Sequence, residues 1–266
     1  VAWTWWQGLQ ARREKAALQR RAIPDDLWKR TLVRYPFLQR RDPADAAELR
    51  RLTSLFLDSK EFSCTGGLRL TDALAVAVAA QAALPVLRLG LAWYDGFVGI
   101  VMHPDAVVAP RAWTDEDGVV HEYDETLSGE AMEGGPVMLA WPDVRRAGQS
   151  AGQGYNVVIH EFAHVLDMAD GLADGMPPLP PELPVAQWRQ VFETAFEQLA
   201  AQVEVQADTL LDPYGASGPE EFFAVASESF FVNAAAMKKE HPDVYGMLSR
   251  FYRQDPAEDS PPPRRA

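Results

Sequence analysis

The 266-residue chain contains a single cysteine, Cys64, so an intramolecular disulfide is excluded and nothing ties the protein to an oxidising compartment. It also lacks a long hydrophobic run. The longest, residues 73–87, is interrupted by Gln81 and Pro85 and falls short of the roughly 20 apolar residues a membrane-spanning helix needs. Basic residues are outnumbered, 25 against 38 acidic, and the net charge of −13 argues against direct nucleic-acid binding. Trp3, Trp5 and Trp6 precede Arg12, Arg13 and Lys15, which is not the order of a secretory signal, so a cytoplasmic location is expected. The tryptophans read as an anchor onto the body of the fold rather than onto a membrane. There is no internal repeat, and only the tail at 256–266 has the composition of a disordered segment.

The remainder is ordinary for a globular protein, with 47% hydrophobic and 24% charged residues and enough length to bury a sizeable core. Charge is unevenly spread. Residues 1–60 hold 13 of the 25 basic and 7 of the 38 acidic side chains, a net +6 against −19 in the rest. Solvated helix faces account for the basic part, and a docking surface for an acidic partner is the alternative. Apolar stripes at helical spacing, broken at Pro24 and Pro36, predict helices over residues 10–60. A very apolar helix follows over 73–83, with Thr71 and Asp72 as cap candidates. Short β-rich runs at 87–91, 99–103, 119–123 and 137–141 predict a small sheet, and 145–154 reads as a Gly-rich loop. Helices are predicted again at 185–205 and 219–236. The expected organisation is an N-terminal helical region at 1–70, a catalytic domain at 71–255 and the tail.

The most informative residues are His160, Glu161 and His164, in the order His-Glu-x-x-His. Residues four apart lie one above the other on a helix, so two imidazoles from one rigid element can bind the same zinc ion. Glu161 then falls beside the open side of the metal, placed to take a proton from an activated water, which is the arrangement of a metallopeptidase. Asn156 can cap this helix and Gly171 can end it, and its surface is apolar nearly all round, as in a buried helix. Two histidines and a carboxylate in such a place need a metal or hydrogen bonds to satisfy them.

A catalytic zinc needs a third protein ligand. Asp170 stands where a metzincin would place it, but the glycine turn that geometry needs is absent at Asp167. Asp212 resembles the aspartate ligand of another zincin group, with a spacing to Tyr214 that is off by one residue. Glu221 fits best, because on its helix Glu221, Val225 and Glu228 share a narrow stripe opposite Phe222, Phe223, Phe230 and Phe231. Glu220 points toward the phenylalanines and is the poorer ligand. Asp167 and Glu228 are candidates to orient the imidazoles as hydrogen-bond acceptors, with a simple buried hydrogen-bond or salt-bridge partner as the rival role of each.

The segments GGLRLTD, LAWYDGF, GPVMLAW, GYNVVIHEFAH, DPYGASGPEEFFAVASESFF and FYRQDP resemble, in order and spacing, the Mlc titration factor A family of bacterial zinc peptidases. The similarity runs from about residue 23 to 256. The HEFAH helix, with a tyrosine seven residues before the third glutamate, is also similar to the catalytic domain of anthrax lethal factor, a gluzincin. The resemblance implies an α+β, mainly helical zincin-like fold with a small mixed sheet. It implies zinc held by His160, His164 and Glu221, Glu161 as general base, and Tyr214 as hydrogen-bond donor to the developing oxyanion. It further implies aminopeptidase-like activity on short peptides and, in enterobacteria, binding to the glucose-responsive repressor Mlc. Thermolysin-type gluzincins carry an aspartate four residues after the ligand glutamate; Val225 stands there, so support for the ligands must come from elsewhere. The rival function is a regulatory protein that sequesters a transcription factor, with the zinc site auxiliary. A deformylase would need Cys64 as ligand, and its surroundings, FSCTGG, carry no partner motif.

The strand at 137–141 lies just upstream of the metal helix. If it is an edge strand, Val137, Leu139 and Trp141 mark a surface where an extended peptide substrate pairs through its main chain. If it is central, its almost wholly apolar sequence is explained by burial instead.

Overall fold

The computed structural model describes residues 2–39, 41–114, 120–132 and 134–258. Three helices open the chain, α1 (Ala2–Arg20), α2 (Asp25–Arg34) and α3 (Pro43–Ser59), broken at the expected prolines. Asp42 caps α3 by accepting from the Asp45 N–H at 2.8 Å, and Pro43 at the first turn sacrifices no hydrogen bond. The apolar helix α4 (Asp72–Ala82) is capped by Thr71, whose hydroxyl accepts from the Leu74 N–H at 3.2 Å. Its polar residue Gln81 is fully buried, and that matters at the site below.

Four strands, β1 (Glu61–Cys64), β2 (Gly99–His103), β5 (Gly129–Ala131) and β6 (Val137–Ala140), form a mixed sheet in the order β1-β2-β6-β5. The first three in that order run parallel, and β5 is antiparallel to β6. A separate antiparallel hairpin pairs β3 (Val107–Thr114) with β4 (Val120–Leu127). The expected strand at 119–123 belongs to this hairpin, with residue 119 outside the described residues.

The sheet corrects two expectations. Residues 87–91 are not a strand: the chain turns after Pro85, with Gly90 N–H bonded to Val86 O at 2.7 Å and Gly90 in a positive-φ conformation. Only Leu87 of the run is buried, and a turn can bury one apolar side chain as well as a strand can. The strand at 137–140 is interior, bonded to β2 on one side and β5 on the other, with Val137 and Leu139 each 1% exposed. It therefore offers no edge to a substrate, and Trp141 opens the next helix. Leu139→Pro should remove a ladder hydrogen bond from a doubly paired strand and abolish the cooperative thermal transition. A folded variant with a wild-type melting profile would contradict this placement.

The helix α5 (Trp141–Ser150) takes up residues 145–150 of the Gly-rich loop expected at 145–154. Gly148 is there for close approach: a Cβ on it would lie 1.8 Å from the Arg34 carbonyl oxygen. Tyr35 donates its hydroxyl to Val144 O at 3.0 Å in the same contact, which fastens the N-terminal region to α5. Beyond the metal-motif helix α6 (Val157–Asp167) come α7 (Val185–Glu204) and α8 (Pro219–Val232), which ends at Asn233 rather than at 236. α9 (Ala234–Glu240) and α10 (Pro242–Tyr252) close the fold.

One continuous core includes residues from α2 and α3 as well as from the sheet and α4–α10. α6 lies in its middle. Phe162 projects to one side, edge-on to Phe56, Tyr94 and Phe97 at centroid distances of 4.9–5.8 Å. The phenylalanines of α8 pack toward α7 and α10, with Phe192 edge-on to Phe222 at 5.8 Å and Phe223 6.3 Å from Phe251. This leaves the opposite stripe of α8 to meet α6. The tryptophan anchor lies where side chains are not described, as does the tail beyond 258. Among the described residues no helix is long and apolar enough to cross a membrane.

Candidate metal centre

The site begins at the cap of α6. Asn156, fully buried, accepts from the Ile159 N–H at 3.0 Å through Oδ1 and donates from Nδ2 to Gln81 Oε1 at 2.9 Å. Its backbone N–H donates to Glu228 Oε2 on α8. The cap thus fixes the helix start, the buried Gln81 and the neighbouring helix at once.

One turn further, His160 Nε2, His164 Nε2 and Glu221 Oε2 converge. The two nitrogens are 3.1 Å apart, and the carboxylate oxygen lies 3.1 Å from His160 and 3.4 Å from His164. Ligands about 2.0–2.1 Å from a tetrahedral zinc stand about 3.3 Å apart, so this triangle has the size the ion requires. Its chemistry agrees. His160 Nδ1 donates to Glu228 Oε1 at 2.8 Å, which leaves the Nε2 lone pair directed at the triangle. Glu221 Oε2 is buried and makes no hydrogen bond. Lone pairs this close repel unless a cation lies among them, and these three residues could hold a metal ion.

The carboxylates around the triangle favour positive charge within it. Burial opposes charge on His160, but the adjoining Glu221 and Glu228 outweigh it and raise its pKa well above the usual value. Burial would raise Glu221, yet His160 and His164 bring it down to about 2. Glu161, 4% exposed, is pushed up to about 7 by burial, against the pull of the two imidazoles. Glu130, Glu161, Asp212, Glu220, Glu221 and Glu228 all line the surrounding cleft of about 390 Å³, and no lysine or arginine does so among the described residues.

The other candidates fall as follows. Tyr214, 44% exposed, sits in a 3₁₀ turn at Pro213–Ala216 with its ring centroid 6.1 Å from that of His160. Asp212 lines the cleft, and its Oδ1 caps that turn by accepting from the Tyr214 N–H at 2.9 Å. Asp170 is exposed and accepts from the Leu172 N–H at 3.2 Å, away from the triangle. Glu220 lines the cleft with its carboxylate folded over Gly218. Glu228 is bonded to the Nδ1 of His160. Asp167 accepts instead from the Gly175 N–H at 2.9 Å, which ties α6 to the loop before α7, and burial raises its pKa to about 7.

Ser128, Gly129 and Tyr155 also line the cleft, and no sequence motif pointed to them as site residues. Gly129 in β5 lies against the Glu161 carboxyl, and a Cβ there would be 2.5 Å from Glu161 Oε1. Gly129→Ala should therefore displace Glu161 and lower peptide turnover by about 10²-fold, the effect of a 1 Å misplacement, with metal content unchanged. Wild-type turnover in this variant would show that the contact sets nothing.

A mainly helical α+β protein with an HExxH helix, and a third carboxylate facing it from α8, is metallopeptidase-like in class. The family model for glucose-regulated metallo-peptidase M90 matches residues 9–253, and the chain belongs to that family. It is 40% identical over 192 residues to Mlc titration factor A of Edwardsiella ictaluri, covering 71% of this chain and 72% of that one. The same-named protein of Yersinia pestis is 35% identical over 237 residues, 83% and 87% of the two chains. An uncharacterized protein of Synechocystis is 35% identical over 246 residues, 92% and 89%.

Proposed function

We propose that the protein is a zinc-dependent peptidase acting on short peptides in an aminopeptidase-like manner. The observation that carries this reading is the triangle of His160, His164 and Glu221 donor atoms with the buried Glu161 carboxyl beside it. When bound, zinc supplies Lewis acidity, acidifying a water molecule and polarising the scissile carbonyl. Glu161 takes the proton of the attacking water and gives it to the leaving amine, a task suited to a carboxyl whose proton affinity burial has raised toward neutrality. Glu228 holds the His160 ring through Nδ1. Tyr214 donates its hydroxyl to the oxygen that gains charge. Tyr214→Phe should accordingly lower kcat more than it changes KM, and a change confined to KM would assign the tyrosine to ground-state binding.

The acidic lining, without a lysine or arginine among the described residues, suits a substrate that presents a cationic amino terminus. Among the described residues β5 is paired only on its β6 side, so β5 rather than the interior β6 is where an extended peptide would pair. Metal analysis of the purified protein, with turnover of a panel of short chromogenic peptides, tests the proposal. A protein without stoichiometric zinc, or with zinc and no turnover, would oppose it.

A second role is favoured by the relatives named Mlc titration factor A: binding of a transcriptional repressor such as Mlc in the cytoplasm. The basic helices at 1–60 or the acidic remainder would supply the surface. The two roles are compatible, because Glu161 and the open side of the triangle serve only the first.

A further inference from the structure

The cleft does not end at the metal-ligand triangle. Met168, just beyond α6, lines it and also lines a second groove of about 800 Å³ that continues from it. Ala131, the last residue of β5, belongs to the cleft, and the next residue, Met132, belongs to the groove. One stretch of main chain therefore runs along both, and β5 is paired only on its β6 side among the described residues.

The groove differs from the cleft in chemistry. Trp93, Phe97, Met132, Val165, Met168 and Ala169 form its walls, and Asp170 is the one charged residue among the described lining. Met132 is 42% exposed, so its side chain is available at the mouth of the groove. The wall at Phe97 is built firmly. Beneath it the buried Lys60 ammonium sits 3.9 Å from the ring centroid and donates to Phe97 O at 2.5 Å and to Tyr94 O. Trp93 is braced edge-on by Phe251 at 5.8 Å. These contacts preform the groove before anything enters it.

We propose that this groove is a subsite for a large apolar side chain of the peptide substrate, two to four residues from the bond that is cut. The inference rests on the peptidase reading above. Its geometry is a matter of strand spacing: Gly129 abuts Glu161, and Met132 is three residues farther, about 10 Å at the rise of an extended chain. A peptide paired along β5 with its scissile bond at Glu161 carries its side chains into the groove at that distance. An apolar side chain gains burial there, and an acidic one faces Asp170 without a compensating cation among the described lining residues.

The test uses alanine hexapeptides in which one phenylalanine is moved through each position. Hydrolysis is measured on the zinc-loaded full chain, and affinity by calorimetry on Glu161→Gln, which separates binding from turnover. Phenylalanine two to four residues from the cleaved bond should raise kcat/KM and tighten Kd about tenfold over alanine, as partial burial of one aromatic ring supports. The phenylalanine-to-alanine ratio is the readout in the variants. In Met132→Asp and Ala169→Asp it should fall to near one, and their thermal unfolding profiles report that the fold is kept. A ratio near one at every position in the unaltered protein, or a gain that survives both variants, would overturn the subsite. Position-dependent binding with no hydrolysis of any peptide would support the subsite and remove the peptidase reading. Hydrolysis without position dependence would do the reverse.

Discussion

Glu161→Gln is expected to lower peptide hydrolysis by about 10²–10⁴-fold in kcat while leaving the fold and the metal content intact. The amide has the shape of the carboxyl, so it fills the same space against Gly129 and keeps the buried contact. It has no basic oxygen that can take a proton at neutral pH. Glu161 is not one of the three converging donors, so its loss leaves the triangle of His160, His164 and Glu221 undisturbed. The measurements are zinc per chain, a thermal unfolding profile and turnover of one chromogenic peptide. Unchanged turnover would assign proton transfer to another group and would move the weight of evidence to the repressor-binding role. Loss of zinc would show instead that Glu161 is part of the metal's support.

Glu221→Ala is expected to weaken zinc binding by at least about 100-fold, because loss of a ligand exceeds the 10–100-fold cost typical of removing a supporting partner. Two imidazoles from one helix would remain, and the carboxylate that closes the triangle from α8 would be gone. Glu220→Ala is the matched control. Glu220 is the preceding residue, lines the same cleft and carries the same charge, but it lies folded over Gly218 and outside the triangle. Competition with a graded series of chelators, read as zinc per chain, distinguishes the two variants. Equal loss in both would indicate that the acidic cleft retains the ion by general electrostatics. Loss in neither would remove Glu221 from the ligand set.

Much of this centre was legible in the sequence because it is written in helical periods. The four-residue spacing of His160 and His164, and the seven-residue spacing of Glu221 and Glu228, place each pair on one helix face whatever the fold around them. Asn156 was readable as a cap for the same local reason, and the structure adds that its backbone N–H also reaches Glu228. Where local signals were mixed, reading was less secure. Gly148 and its neighbours suggested a loop, yet the glycine serves a helix pressed against Arg34. The run at 87–91 had strand composition, yet the chain turns there and only Leu87 in it is buried.

The sequence by itself thus determined most of the long helices, the caps at Thr71 and Asn156 and the faces on which the candidate metal ligands stand, because backbone geometry repeats every few residues and needs no distant partner. Only the tertiary structure decided which strand has a free edge, that Gly129 abuts Glu161, and that Asp167 binds the Gly175 amide rather than orienting an imidazole. Each of these depends on segments far apart in the chain or on loop conformation, and no local period encodes which neighbour a buried polar group or an open strand edge will find.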